Sequence, residues 1–86
     1  MYEIGYSTRA KEQIASLPAQ KIKDQIEAAI QRLATHPELG KSLHGNLCDF
    51  WSYRSGKYRI IYQVVHEELK VLVVTVGNRR DIYKRI

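Results

Sequence analysis

Arginine, lysine and tyrosine gather in two short stretches of this chain, and their chemistry suits the handling of an anion. The stretch "VGNRRDIYKRI" carries Arg79, Arg80, Lys84 and Arg85 within seven residues, with Tyr83 between the pairs and Asn78 just before them. The stretch "FWSYRSGKYRIIYQVV" carries Arg54, Lys57 and Arg59 close to Trp51 and Tyr53. A guanidinium presents two parallel N–H donors that match the edge of a phosphate. It has no acceptor and stays protonated, so it stabilises charge but cannot serve as a base at neutral pH. Aromatic rings nearby offer faces on which unpaired bases stack. A solvated basic tail is the competing reading for the last residues, and core packing is the competing reading for Trp51. The elements that carry these residues must decide.

The chain has 86 residues, which is one domain's worth, spanning 1–86, with a single modest core. Hydrophobic residues at 44% and charged residues at 27% exclude a disordered chain. The net charge of +5 is unevenly placed: basic and acidic groups cancel over residues 1–40, so the whole excess falls in residues 41–86. That asymmetry favours a polyanion-binding face in the second half. Cys48 is the only cysteine, so an intrachain disulfide and a cysteine-based zinc site are excluded. No cluster of Asp, Glu or His has metal-ligand spacing, and no cofactor is expected. The opening "MYEIGYSTRA" lacks an apolar signal core, and no apolar run reaches membrane-spanning length. The expectation is a cytoplasmic protein without a membrane partner.

In "MYEIGYS", Tyr2, Ile4 and Tyr6 alternate with Glu3 and Gly5, the period of a half-buried strand. Ser7 or Thr8 suits a helix N-cap, and Ala10, Ile14 and Leu17 then fall at helical spacing. Pro18 closes that helix and suits the first turn of the next. Ile22, Ile26, Ile30 and Leu33 form the second helix's apolar stripe, which "HP" at residues 36–37 ends. A connector over residues 36–49 is long for so small a domain, which marks it as a candidate functional loop. Three strand-like runs follow, "FWSYR", "YRIIYQVVH" and "KVLVVTV", with separators short enough for hairpin turns. The expected fold class is α+β in the order β-α-α-β-β-β: an N-terminal strand and a helical hairpin packed on a small antiparallel sheet whose C-terminal part is a three-stranded meander.

An up-down-up meander returns the end of its first strand, the start of its second and the end of its third to one edge of the sheet. If the turns centre on Ser55–Gly56 and Glu67–Glu68, Arg59 lies opposite Ser52 on one side and Val76 on the other. A slip of one residue changes the face a side chain uses, not the sheet end it occupies. Arg54, Lys57, Arg59, Arg79 and Arg80 are therefore expected to converge, and crowded like charges call for a counter-anion.

The stretch "FWSYRSGKYRIIYQVV", the later "VGNRRDIYKR", the two helices separated by "LP", and the pattern P-x-x-G-K-x-L-x-G beginning at Pro37 resemble the RelE/ParE superfamily of toxins from toxin–antitoxin modules. RelE-type members cut messenger RNA in the ribosomal A site, whereas ParE-type members inhibit DNA gyrase on a similar scaffold. A tyrosine after a double arginine is closer to the RelE side. On the family's pattern, Arg59, Arg79, Arg80 and Tyr83 correspond to active-site positions. Arg54, Lys57, Trp51, Tyr53, Asn78 and Lys84 are the accompanying candidates for holding RNA. Many relatives carry histidine at the position of Asn78, so a histidine acid or base at that point is not available here, and a catalytically inactive RNA-binding homologue stands as an alternative beside the gyrase inhibitor.

The chemistry this implies is metal-independent attack of a ribose 2′-hydroxyl on its own 3′-phosphate. It needs a proton acceptor, stabilisation of phosphoryl charge and a proton for the leaving oxygen. Arginines supply the second. For proton transfer the candidates are Tyr83, with a pKa lowered by surrounding cations, Lys57, or a group of ribosomal RNA. His44 and His66 are weaker candidates, His66 because it falls at the far end of its strand. The resemblance also implies two partners: messenger RNA on the ribosome, and a cognate antitoxin, RelB-like or otherwise, that covers Arg59 and Arg79 directly or grips the helical hairpin.

Overall fold

The computed structural model describes residues 1–43 and 49–78. Strand β1 (Glu3–Tyr6) leads into helix α1 (Thr8–Ala15) and helix α2 (Gln20–Thr35). A 3-10 turn over Pro37–Leu39 brings the chain to a two-residue strand β2 (Lys41–Ser42). The remaining strands are β3 (Trp51–Ser55), β4 (Tyr58–Val65) and β5 (Lys70–Asn78). They form one five-stranded sheet in the order β1-β5-β4-β3-β2.

Local chemistry sets the helix ends. Ser7 is the N-cap of α1, its hydroxyl accepting from the Ala10 N–H at 3.0 Å. Pro18 lies in the connector rather than in the first turn of α2, whose N-cap is Ala19. His36 caps the other end of α2, where Pro37 forbids a further helical turn. Ile26, Ala29, Ile30 and Leu33 of α2 bury one stripe against Ile60, Tyr62, Val71, Val73 and Val76 of the sheet. Ala10 of α1 joins the same cluster, so the core lies between the two helices and a single face of β4 and β5.

The sheet is mixed rather than wholly antiparallel, because β1 pairs parallel with β5, Glu3 opposite Lys70 through Tyr6 opposite Val73. Alternation of side chains marks β1 as a strand but carries no information on its partner or direction. A parallel pair needs a crossover connection, and here the crossover holds both helices. Where β1 stops, α1 continues the edge with side chains. The Ser7 hydroxyl donates to the Val74 carbonyl at 2.6 Å, and Gln13 Oε1 accepts from the Val76 N–H at 2.7 Å and the Thr75 hydroxyl at 3.0 Å.

Register in the meander also departs from expectation. Ser55 pairs with Tyr58, leaving Gly56 and Lys57 as a two-residue turn in which Gly56 takes φ +61°. Arg59 thus faces Arg54, not Ser52. On the other side a bulge between Ile61 and Tyr62 places Arg59 opposite Gly77, not Val76.

Candidate functional site

At the end of the sheet where β3 ends and β4 begins, alternation puts Ser52 and Arg54 of β3 on one face with Arg59 of β4. Lys41 of β2 pairs with Ser52, which adds a third cation to the same face. The face is a cleft of about 350 Å³ lined by Leu39, Gly40, Lys41, Ser52, Tyr53, Arg54 and Arg59. No carboxylate is among these residues. Arg54 and Arg59 face each other directly across the ladder, so an anion between them would meet both guanidinium groups.

Arg59 is the fixed member of the group. It is half-buried, and its Nη1 donates to the Ser52 hydroxyl at 3.2 Å, while Ser52 itself is 4% exposed. Arg54 is exposed, with Nε donating to the Gly56 carbonyl at 3.4 Å, and Lys41 is exposed as well. The cleft thus joins one positioned guanidinium to two solvent-facing cations, an arrangement suited to a phosphate that arrives on a flexible strand.

The second wall of the cleft is held by Tyr62. This tyrosine is fully buried, donates its hydroxyl proton to the Pro37 carbonyl at 2.7 Å and accepts from the Gly40 N–H at 3.1 Å. Burial pushes its pKa up to about 12, against a smaller downward pull from the Gly40 hydrogen bond. Gly40 can approach this closely only because it lacks a side chain: a Cβ there would lie 2.6 Å from the Ser52 carbonyl oxygen and from the Tyr62 hydroxyl.

The sequence candidates divide by location. Arg54, Arg59 and Tyr53 line the cleft. Lys57 is exposed in the adjoining turn, and Asn78 ends β5 at the same end of the sheet, opposite Tyr58. Trp51 is not brought to the cleft: it stacks on Tyr62, ring centroids 6.3 Å apart and 24° between planes, against the core. Arg79, Arg80, Tyr83 and Lys84 lie outside the described residues, as does His44. His66 is far from the cleft and meets the Tyr2 hydroxyl through Nδ1 at 2.9 Å.

Sequence reasoning missed Lys41, Ser52, Gly40 and Tyr62. The signal for Lys41 and Gly40 was present, since both belong to the P-x-x-G-K pattern, but nothing in the pattern says that it docks beside "YRIIY". Tyr62 reads as one more apolar strand position until its hydroxyl is seen reaching the connector.

Likeness to known proteins bears on this arrangement. The family model described as the ParE toxin of the type II toxin–antitoxin system parDE matches residues 4–83. Toxin RelG of Mycobacterium tuberculosis is 32% identical over 85 residues, covering 98% of each chain. Among solved structures, the toxin–antitoxin complex RelBE2 of Mycobacterium tuberculosis superposes with a TM-score of 0.80 at 29% identity, over 91% of this chain and 98% of that one. The isolated E. coli RelE toxin gives a TM-score of 0.78 at 26% identity, over 98% and 93%. Since the likeness runs through the helices, the sheet and the strands that build the cleft, the chain belongs to the RelE/ParE superfamily and is a toxin of a type II toxin–antitoxin system.

Proposed function

We propose that this toxin is a ribosome-dependent endoribonuclease that cuts messenger RNA in the A site and so inhibits translation in the cytoplasm. The observation that carries this is the cleft, lined by no carboxylate among the described residues, in which Arg59, fixed by Ser52, stands opposite Arg54 and beside Lys41. In the reaction the ribose 2′-oxygen attacks the adjacent phosphorus and the bond from phosphorus to the 5′-oxygen breaks. A 2′,3′-cyclic phosphate and a 5′-hydroxyl result. Arg59 holds the phosphoryl oxygens as charge builds on them, a role typically worth roughly 3–4 kcal/mol per preorganised donor. Arg79 and Arg80 follow Asn78 in the chain and are assigned the same duty; Lys84 joins the cations that hold the strand. Tyr83, Lys57 or a ribosomal RNA group takes the 2′ proton and returns one to the leaving oxygen. Such a site works chiefly by positioning, which suits dependence on a ribosome that presents the strand.

RelBE2 of Mycobacterium tuberculosis and the E. coli RelBE assembly are toxin–antitoxin complexes. By analogy, a RelB-like antitoxin covers the cleft of this protein. A gyrase inhibitor is the second reading, favoured by the match to the ParE family model. Brief expression followed by mapping of messenger RNA ends separates the two. In-frame cuts with 2′,3′-cyclic or 3′-phosphate ends are expected. Intact transcripts together with relaxed or broken DNA would instead establish the gyrase reading.

A further inference from the structure

Arg54 borders two cavities. The second, of about 380 Å³, lies between α2 and the β3–β4 turn, with Gln25, Ala28 and Arg32 on the helix side and Arg54, Ser55 and Gly56 on the sheet side. Gln25, Ala28 and Arg32 are spaced i, i+3 and i+7, so they form one stripe along α2. The acidic residues of α2 sit off that stripe: Asp24 accepts from Gln20 Nε2 at 2.9 Å, and Glu27 lines the groove between the two helices. Among the described residues, Arg32 and Arg54 therefore both border a cavity that no carboxylate lines.

The helix dipole favours a cation in the last turn of α2, which accounts for Arg32 as a residue type. It does not account for a second arginine across the same cavity, nor for the displacement of both carboxylates from its wall. The mouth of the cavity is open at Gly56, where a Cβ would meet nothing within 4 Å. A strand of nucleic acid that presents successive phosphates fits a pair of cation clefts joined by one shared arginine.

We propose that this cavity is a second phosphate site, at which Arg32, Arg54 and the Gln25 amide hold a backbone phosphodiester of the RNA whose scissile phosphate enters the Arg59 cleft. The site rests on the RNA-cleaving reading given above. It adds Arg32 and Gln25 as residues that hold and orient RNA without touching the reacting atoms.

The test is binding of a short 2′-O-methylated RNA strand, which its own 2′-oxygen cannot cleave, measured by fluorescence anisotropy over a range of salt concentrations. For single strands, each phosphate that the protein neutralises adds about 0.7 to the magnitude of the slope of log K against log salt. Arg32→Ala is expected to lower the slope by that amount and to weaken binding regardless of sequence, whereas Arg32→Lys keeps the slope. Lys23→Ala removes the same charge from the same helix, on the groove facing α1 rather than on the cavity stripe, and is expected to leave the slope unchanged. Equal effects of Arg32→Ala and Lys23→Ala, or no effect of Arg32→Ala while Arg59→Ala weakens binding, would overturn the second site and leave the first. No effect from either arginine variant would overturn both.

Discussion

Tyr62 shows how much a single hydroxyl decides. It is buried at 0% exposure, yet it joins the sheet to the turn that carries Gly40 and Lys41 to the cleft. Its pKa is raised from 10.0 to about 12, chiefly by burial. For a group whose folded pKa is raised, the stabilisation is whole below the unfolded value and is lost as pH climbs through the folded one. The pH window is therefore about 10 to 12, over which unfolding free energy should fall by on the order of 2–3 kcal/mol, two units at about 1.4 each. Denaturant titrations at rising pH would show a larger loss in the wild type than in Tyr62→Phe, which keeps the contribution of Tyr6, a hydroxyl whose pKa burial and nearby Glu27 also raise. The variant itself leaves the Gly40 N–H and one Pro37 interaction without their partner, at a cost of roughly 1–3 kcal/mol at neutral pH. Should both proteins lose stability equally between these pH values, Tyr62 is not the titrating group. Arg59 is the complementary case, where a half-buried side chain is fixed by Ser52 and its charge faces another charge.

Elements position these residues, and they were legible to different degrees. The helix stripe Ile26, Ile30 and Leu33 and the apolar runs of β3, β4 and β5 bounded by turn residues are local signals, so both helices and the meander could be read directly. Pairing information is not local. Nothing in "MYEIGYS" specifies that β1 lies parallel to β5, and nothing in "KVLVVTV" marks the bulge that moves Arg59 from Val76 to Gly77. The convergence of Arg54, Lys57, Arg59 and Asn78 at one sheet end survives that shift, because a slip changes faces and not ends. The contribution of the connector was invisible for a different reason: Gly40 matters through its approach to β3 and β4, which only the fold creates. Gly40→Ala forces its Cβ against the Ser52 carbonyl and the Tyr62 hydroxyl, each 2.6 Å away. Overpacking of this kind costs about 1–3 kcal/mol, and a domain of this size loses roughly 4–8 °C of Tm per kcal/mol. Thermal unfolding checks this, and an unchanged Tm would mean that the turn over Pro37–Leu39 is not tied to the sheet as described.

On the scale of the whole molecule, charge is separated along the sheet. Lys70 forms an ion pair with Glu3, and His66 Nε2 lies 4.0 Å from Glu38 Oε1, at the end where β4 turns into β5. The opposite end carries Lys41, Arg54 and Arg59 around a cleft that, among the described residues, has no carboxylate in its lining. Among the described residues, a polyanion would meet this molecule at the cleft end, as the proposed RNA-cleaving function requires. The most direct measurement is single-turnover cleavage of messenger RNA on programmed ribosomes by the purified wild type and by Arg59→Ala, with folding of both verified by circular dichroism. The expected result is a cut in the A-site codon ending in 2′,3′-cyclic phosphate or 3′-phosphate, slowed by about 10²–10³-fold in the folded variant. An equal rate for the two proteins, or no cleavage by either alongside inhibition of gyrase supercoiling, would contradict it.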